Sequence, residues 1–354
     1  MAYTLQTFVF QAIFLLSGIF STLITQNLFN VGAADKATII TVFVQYLGMA
    51  ICRFFPAPAK THVPRNSVLL QPPKSFFKAS SEIKKGILII TSFEVLANVL
   101  STIGLSIIGS GIYQVIHAGV IVFNAIFSKY ILNKTLNIKQ WISVIGISIG
   151  LGLSAIGKDG KLTSPIILIG IIINLLGTIC YSVVYVLNEK HLKLPGGPTT
   201  VQQSSWIGTS ASSICLIYII LYTIPNYQTL IVDKIREKYG DQPYTWIYIC
   251  YVLLLLLHFL HAYTYFWILE NSGAVTTGVL QALRAVTVFF FSSFFFCEID
   301  NAQCLTIYKV ESCLAVVTGV LCYSIASRSK KEEHEIEPDQ IPLTTTIGKL
   351  DMEL

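Results

Sequence analysis

The sequence predicts an all-α polytopic membrane protein: ten transmembrane helices arranged as two inverted five-helix repeats. Three observations predict it. Hydrophobic residues make up 53% of the 354 positions and charged ones only 12%, about half of the ~25% charge that covers a soluble domain. Mean hydropathy is +0.66, and the apolar residues fall in long continuous blocks rather than alternating with period two, which excludes a closed β-barrel. A motif in the fourth block returns in the ninth. Five is odd, so two such halves must insert in opposite senses.

A helix needs about 20 mostly apolar residues to cross the hydrocarbon core. The blocks that qualify are 8–29, 37–55, 86–108, 110–132, 140–157, 165–187, 204–224, 246–268, 274–297 and 303–325. The first lacks a basic leader and is long enough to span, so no cleaved signal peptide is expected. Spans 3 and 4 are separated only by a tight turn at Gly109. The linker 56–85 carries Pro56, Pro58, Pro64, Pro72 and Pro73, which break helices, and reads as an extended basic loop. A short surface helix is expected around Asp233–Lys238. The domains are then 1–157 and 165–327, followed by a polar, acid-rich tail at 328–354 that reads as disordered.

Orientation follows from Lys and Arg. With a cytosolic N-terminus, 16 fall in cytosolic segments and 6 opposite, so both termini are expected in the cytosol. The net charge of +5 sits between apolar blocks, where it sets topology, and no nucleic-acid partner is expected. The sequon Asn133-Lys134-Thr135 then lies on the cytosolic side and should stay unmodified. Most cysteines lie inside apolar runs as small hydrophobes. Cys297 and Cys304 flank a short loop and either bridge in an oxidising lumen or pack as two thiols.

Gln114-Val-Ile-His117 through Phe123 in span 4 repeats as Gln281-Ala-Leu-Arg284 through Phe290 in span 9, 167 residues later. Each copy follows a Ser-Gly pair, Ser110-Gly111 and Ser272-Gly273. Within these spans the polar residues stand out. Arg284 falls near mid-membrane and cannot discard its charge; its forked donor suits a phosphate or carboxylate, or it pairs structurally with Glu94 or Glu311. Gln114, His117, Asn124 and Ser128 share one face of span 4. His117 either binds anions when protonated or packs as a neutral ring. Glu94 and Asn98 form a stripe on span 3, with gating, proton coupling or snorkelling open to Glu94. Lys309 in span 10 snorkels or reaches substrate. Glu189-Lys190-His191 is a gate or a solvated, topology-setting end. His258 and His261 share a face, as an aromatic polar patch rather than a metal site.

No metal site and no cofactor are expected. No Walker, zincin or nucleophile-elbow motif occurs, so the chain is read as a non-enzyme.

Phe93-Glu94 to Asn98, the stretch YQVIHAGVIVFNAIFSKYILNKTLNIKQW (113–141), VVYVLNEKHLK (183–193) and VLQALRAVTVFFFSSFFFCE (279–298) together resemble the drug/metabolite transporter superfamily. Within it they are similar to the nucleotide-sugar transporter-like solute carrier family 35. His117 stands where the most similar branch carries Arg. The resemblance implies a secondary transporter, an antiporter, for a small anionic or phosphorylated metabolite of nucleotide-sugar type. It places the protein in a Golgi, endoplasmic reticulum or endolysosomal membrane. Substrate contacts are then expected at Arg284, His117, Gln114, Gln281, Asn124, Glu94, Asn98 and Lys309. The partners are a small-molecule substrate, the lipid bilayer and, at most, a second copy as a homodimer. An organic-ion or amino-acid carrier of the same fold, or a non-transporting scaffold, is the alternative.

Overall fold

A helix satisfies its own backbone polar groups, which lipid requires, and in the computed structural model every regular element among the described residues is helical. The structure describes residues 2–35, 37–58, 72–73, 75–153, 165–240, 244–298 and 304–336. In order these form α1 (Ala2–Asn30), α2 (Ile40–Ile51), α3 (Ser81–Ala118), α4 (Val120–Leu132) and α5 (Ile138–Leu153). There follow α6 (Pro165–Leu192), α7 (Thr200–Tyr218), α8 (Asp233–Tyr239), α9 (Thr245–Phe296) and α10 (Ile307–Ile336). Six of the described helices are long and apolar enough to cross a membrane, and α2, α4 and α5 are shorter apolar helices. The protein is a helical membrane protein.

Its polarity is inside-out relative to a soluble fold. On α6, Ile166, Leu168, Ile169, Ile172 and Leu176 are exposed, while Asn174, Thr178 and Ser182 are fully buried. Those three recur every fourth residue and so occupy one face. The apolar face is the one lipid requires, and the polar face is turned to the other helices.

Two long helices fold back on themselves. α9 has 52 residues, about 78 Å at 1.5 Å per residue, against a hydrocarbon core of about 30 Å. It breaks at Gly273, whose φ of 86° and ψ of 170° lie in a region essentially reserved for glycine. Along α1, Leu28 packs with Ile247 and Cys250, and Phe14 stacks on His261. Beyond the break the direction reverses: Leu280 meets Phe14, Arg284 lies at Gly18, and Phe296 packs with Leu23. The two arms of α9 therefore run antiparallel along α1.

α3 does the same against α6. The turn expected at Gly109 leaves no gap in the helical backbone, which continues to Ala118. Yet a Cβ at Gly104 would touch Asn174, and Asn174 Nδ2 also donates to Tyr113 O at 3.4 Å. A straight helix would separate residues 104 and 113 by about 13 Å, so the chain turns back between them. Gly86 faces His191, whereas Val120 O accepts from Ser182 Oγ at 3.1 Å and Lys134 pairs with Glu189. The hairpin of α3 and α4 straddles α6 as the hairpin of α9 straddles α1. In addition α2 packs on α7, and α5 on α10.

The ends sort onto two faces. On one, Gln140 Nε2 donates to Ser327 Oγ at 3.0 Å, Lys134 meets Glu189, and Phe10 packs on Trp267 near Gly273. The first and last described turns thus emerge together. On the other, Lys234 Nζ and Asp35 Oδ2 pair at 2.6 Å. Partial burial would raise the Asp35 carboxyl, but the hydrogen bonds from Lys234 and Ala37 and the nearby lysine charge outweigh it and hold it below its ordinary value. Cys297 and Cys304 form a disulfide, the bridged alternative of the two read from the sequence.

Other boundaries are corrected. α10 continues to Ile336, past the expected tail start at 328, because the Ser-Lys-Lys-Glu-Glu-His-Glu run is rich in helix formers that extend an existing helix. The tail at 337–354, residues 59–71 and 74 of the basic loop, and Lys36, Lys158 and Lys161 lie outside the described residues. The short helix expected near Asp233 is α8.

A Cβ at Gly273 would lie 3.0 Å from Glu189 Oε1 in a backbone state closed to other residues. Gly273→Ala should therefore lower the thermal unfolding temperature in detergent, at a cost of about 1–3 kcal/mol. Gly146→Ala, whose Cβ would meet nothing within 4 Å, should leave it unchanged or slightly raised.

Candidate functional site

Arg284 lies 11 residues past the Gly273 break, about 16 Å along the second arm of α9. That is mid-depth in a core of about 30 Å. Its side chain fits because α1 has no side chain opposite. A Cβ at Gly18 would fall 2.5 Å from Arg284 Cδ, 3.1 Å from Nη1 and 3.0 Å from His261 Cε1. The guanidinium is within electrostatic reach of Tyr113 and Tyr185, and of His117, His258 and His261. Among the described residues it makes no hydrogen bond and no ion pair. Neither structural partner read from the sequence, Glu94 or Glu311, is bonded to it.

Its surroundings are aromatic and polar. His117 stacks on Tyr113 at 5.4 Å and meets the edge of Tyr181 at 5.6 Å. Gln281, one turn before Arg284, donates Nε2 to Tyr185 OH at 3.1 Å. His117 and Gln281 line one small cleft of about 30 Å³ with Ile121, Leu151 and Gly278. Among the described residues, His117 Nδ1 and Gln281 Oε1 are both buried there without a hydrogen-bond partner. Unmet polar atoms beside an unpaired cation suit a bound polar ligand. His261 stacks on Phe14 at 4.4 Å and donates Nδ1–H to the Phe14 carbonyl at 3.1 Å. With Arg284 beside both His258 and His261, a metal cation there would meet repulsion.

Glu94 marks a second end of the site. It is within electrostatic reach of Tyr46, Tyr181, Tyr185 and Tyr265. No cation pairs with it among the described residues. Asn98, one turn on, hydrogen-bonds Tyr46 OH. Tyr185 lies near both charges.

The structure thus gathers His117, Gln281, Arg284, Glu94 and Asn98 around one tyrosine-rich centre. Asn124 is fully buried and ties α4 to α9 by donating to Ala274 O at 3.2 Å. Lys309 stands apart: its Nζ donates to Cys304 O at 2.7 Å beside the disulfide. The side chain of Gln114 lies outside the described residues. Tyr46, Tyr113, Tyr181, Tyr185, Tyr265 and Gly18 were not singled out from sequence for this role. Tyr181 and Tyr185, four apart on the polar-faced α6, carried the signal that could have found them.

Glu189 lies at the break of α9, beside Gly273. The sequence favoured a solvated end, but the side chain is 1% exposed. It pairs with Lys134 and, at 2.7 Å, with Lys193. Its other oxygen accepts the backbone N–H of Ala274 at 2.7 Å. Ala274 opens the second arm of α9, where free N–H groups and the helix dipole favour an anion. One carboxylate thereby fastens α4, α6 and α9 together. His191 is buried too, with Nδ1 at 2.8 Å from Gln203 Oε1.

Comparison with known proteins adds fold and nothing finer. A solved chain described only as "Crystal structure of protein" superposes with a TM-score of 0.61 at 11% identity, over 92% of this chain and 99% of that one. At that identity the likeness is one of fold. No protein-family model matches the sequence, and neither does any curated protein.

The Glu189 fastening predicts an order of stabilities. Glu189→Ala removes every bond, whereas Glu189→Gln keeps an acceptor for the Ala274 N–H. Lys193, 39% exposed, contributes like a surface pair, about 0–1 kcal/mol. Thermal unfolding in detergent should fall most for Glu189→Ala, less for Glu189→Gln and least for Lys193→Ala. A larger loss for the lysine variant would contradict the assignment.

Proposed function

We propose that the protein is a secondary active transporter that carries a small anionic or phosphorylated metabolite across an intracellular membrane by alternating access. The observation that carries this reading is Arg284, a permanent cation at mid-depth with no anionic partner among the described residues. A charge costs roughly 2.5–3.5 kcal/mol at the centre of a helix in lipid on insertion scales. A cargo that brings the missing anion accounts for its presence; a purely structural role leaves it without a counter-ion.

The packing supports a five-plus-five inverted repeat. Exchanging the first five spans with the second turns the α3–α4 hairpin on α6 into the α9 hairpin on α1. It also maps the α2–α7 and α5–α10 pairs onto themselves. His117 and Arg284, repeat-mates in sequence, both reach the centre. The basic bias makes the Glu189 face cytosolic, with both termini on it. The disulfide then lies on the lumenal face, where oxidation is favoured. Glu189 holds the cytosolic side closed, and its release would let one half rock against the other. The motif resemblance extends the cargo class to nucleotide-sugar-like metabolites.

Purified protein in vesicles, tested against nucleotide-sugars, sugar phosphates and amino acids, should show saturable exchange. Arg284→Ala should reduce it at least about tenfold, the scale of one lost charge-assisted hydrogen bond of about 1.5–3 kcal/mol. Arg284→Lys should restore little, because a point charge lacks the fork. Undiminished uptake by the alanine variant at equal expression would contradict the reading.

A further inference from the structure

Arg284 accounts for an anion and leaves Glu94 unexplained. This carboxylate lies on α3, about 12 Å along the helix from Gly86 at the His191 end, so it is inside the span. Four tyrosines from three helices lie within its electrostatic reach: Tyr46 of α2, Tyr181 and Tyr185 of α6, and Tyr265 of α9. Tyr185 and Tyr265 meet edge to face at 5.3 Å. The Asn98 amide fixes Tyr46 by its hydroxyl, and the Gln281 amide fixes Tyr185 by its own. Tyr46 and Tyr185 are therefore held in place.

A carboxylate with no cation paired to it among the described residues, one helical turn from the Asn98 that bonds Tyr46 and within electrostatic reach of three further tyrosines, is the arrangement that attracts an alkylammonium. The acid supplies the counter-charge and the ring quadrupoles add attraction. Arg284 supplies the opposite pole, and Tyr185 lies near both. Arg284 and Glu94 do not neutralise each other, although each lacks a partner among the described residues. A molecule that spans them compensates both charges at once.

We propose that the cargo is amphoteric, with a carboxylate or phosphate held at Arg284 and a protonated amine held at Glu94 among the tyrosines. This rests on the transporter reading and narrows it: a cargo anionic at one end and neutral at the other leaves Glu94 uncompensated.

The test uses full-length purified protein and the thermal stabilisation each probe confers as its concentration rises. The probes are ω-amino alkanoates and ω-amino alkyl phosphates of increasing chain length, each beside its N-acetyl derivative, which keeps the anion and removes the cation. At one chain length the free amine should stabilise at concentrations at least about tenfold lower than its N-acetyl partner, equivalent to about 1.4 kcal/mol. Glu94→Gln should erase that difference between the free amine and its N-acetyl partner, and Arg284→Gln should weaken both members of the pair. Tyr265→Leu, which removes a ring and no charge, should weaken the amine more than its N-acetyl partner and serves if Glu94→Gln does not fold. An Arg284-dependent response with no preference for the amine, or a preference that survives Glu94→Gln, would overturn this proposal and leave the anion-transporter reading standing. No Arg284-dependent response to any probe would overturn both.

Discussion

A guanidinium stays charged at any depth in a membrane, and much of this fold is arranged around that constraint. Arg284 needs space, polar company and a counter-charge. Gly18 supplies the space, since any Cβ there would collide with the arginine and with His261. Tyr113, Tyr185 and Gln281 supply the polar surroundings. The counter-charge is missing among the described residues, and that vacancy carries the functional proposal.

Backbone geometry puts the arginine at that depth. The left-handed Gly273 lets α9 turn back, so that the arms meet α1 in opposite directions and His261 and Arg284 arrive at one level. Glu189 then binds the first free N–H of the returning arm, Lys134 from the segment after α4, and Lys193 one turn further along its own segment. The buried Asn124 tie to Ala274 O holds the same corner from within.

Much of this was legible in the sequence. A lone arginine inside an apolar run is conspicuous, and the Gln281-to-Gln114 repeat pointed to His117 as its mate. The tyrosines were not legible, because tyrosine is equally at home in a core or at a membrane interface, and only the tertiary fold shows which rings converge. Gly18 was hidden for a related reason, since a glycine reveals a close approach only once its neighbour is known. Lys309 looked like Arg284 by composition, but its position near a span end left it bonded to a loop carbonyl. Glu189 read as a solvent-facing end because its neighbours Lys190 and Lys193 are polar. Burial of its carboxylate depends on Ala274, 85 residues away.

The central claim is that position 284 faces a wet, ligand-accessible cavity and not a sealed structural contact. Its most direct test places a single cysteine at 284 in a chain whose free cysteines have been replaced, and follows its reaction with a charged, membrane-impermeant thiol reagent in folded protein. The account predicts labelling of the folded protein from water, with or without anionic substrate, because the cysteine replaces the arginine that would hold it. A cysteine that reacts only after denaturation would contradict it.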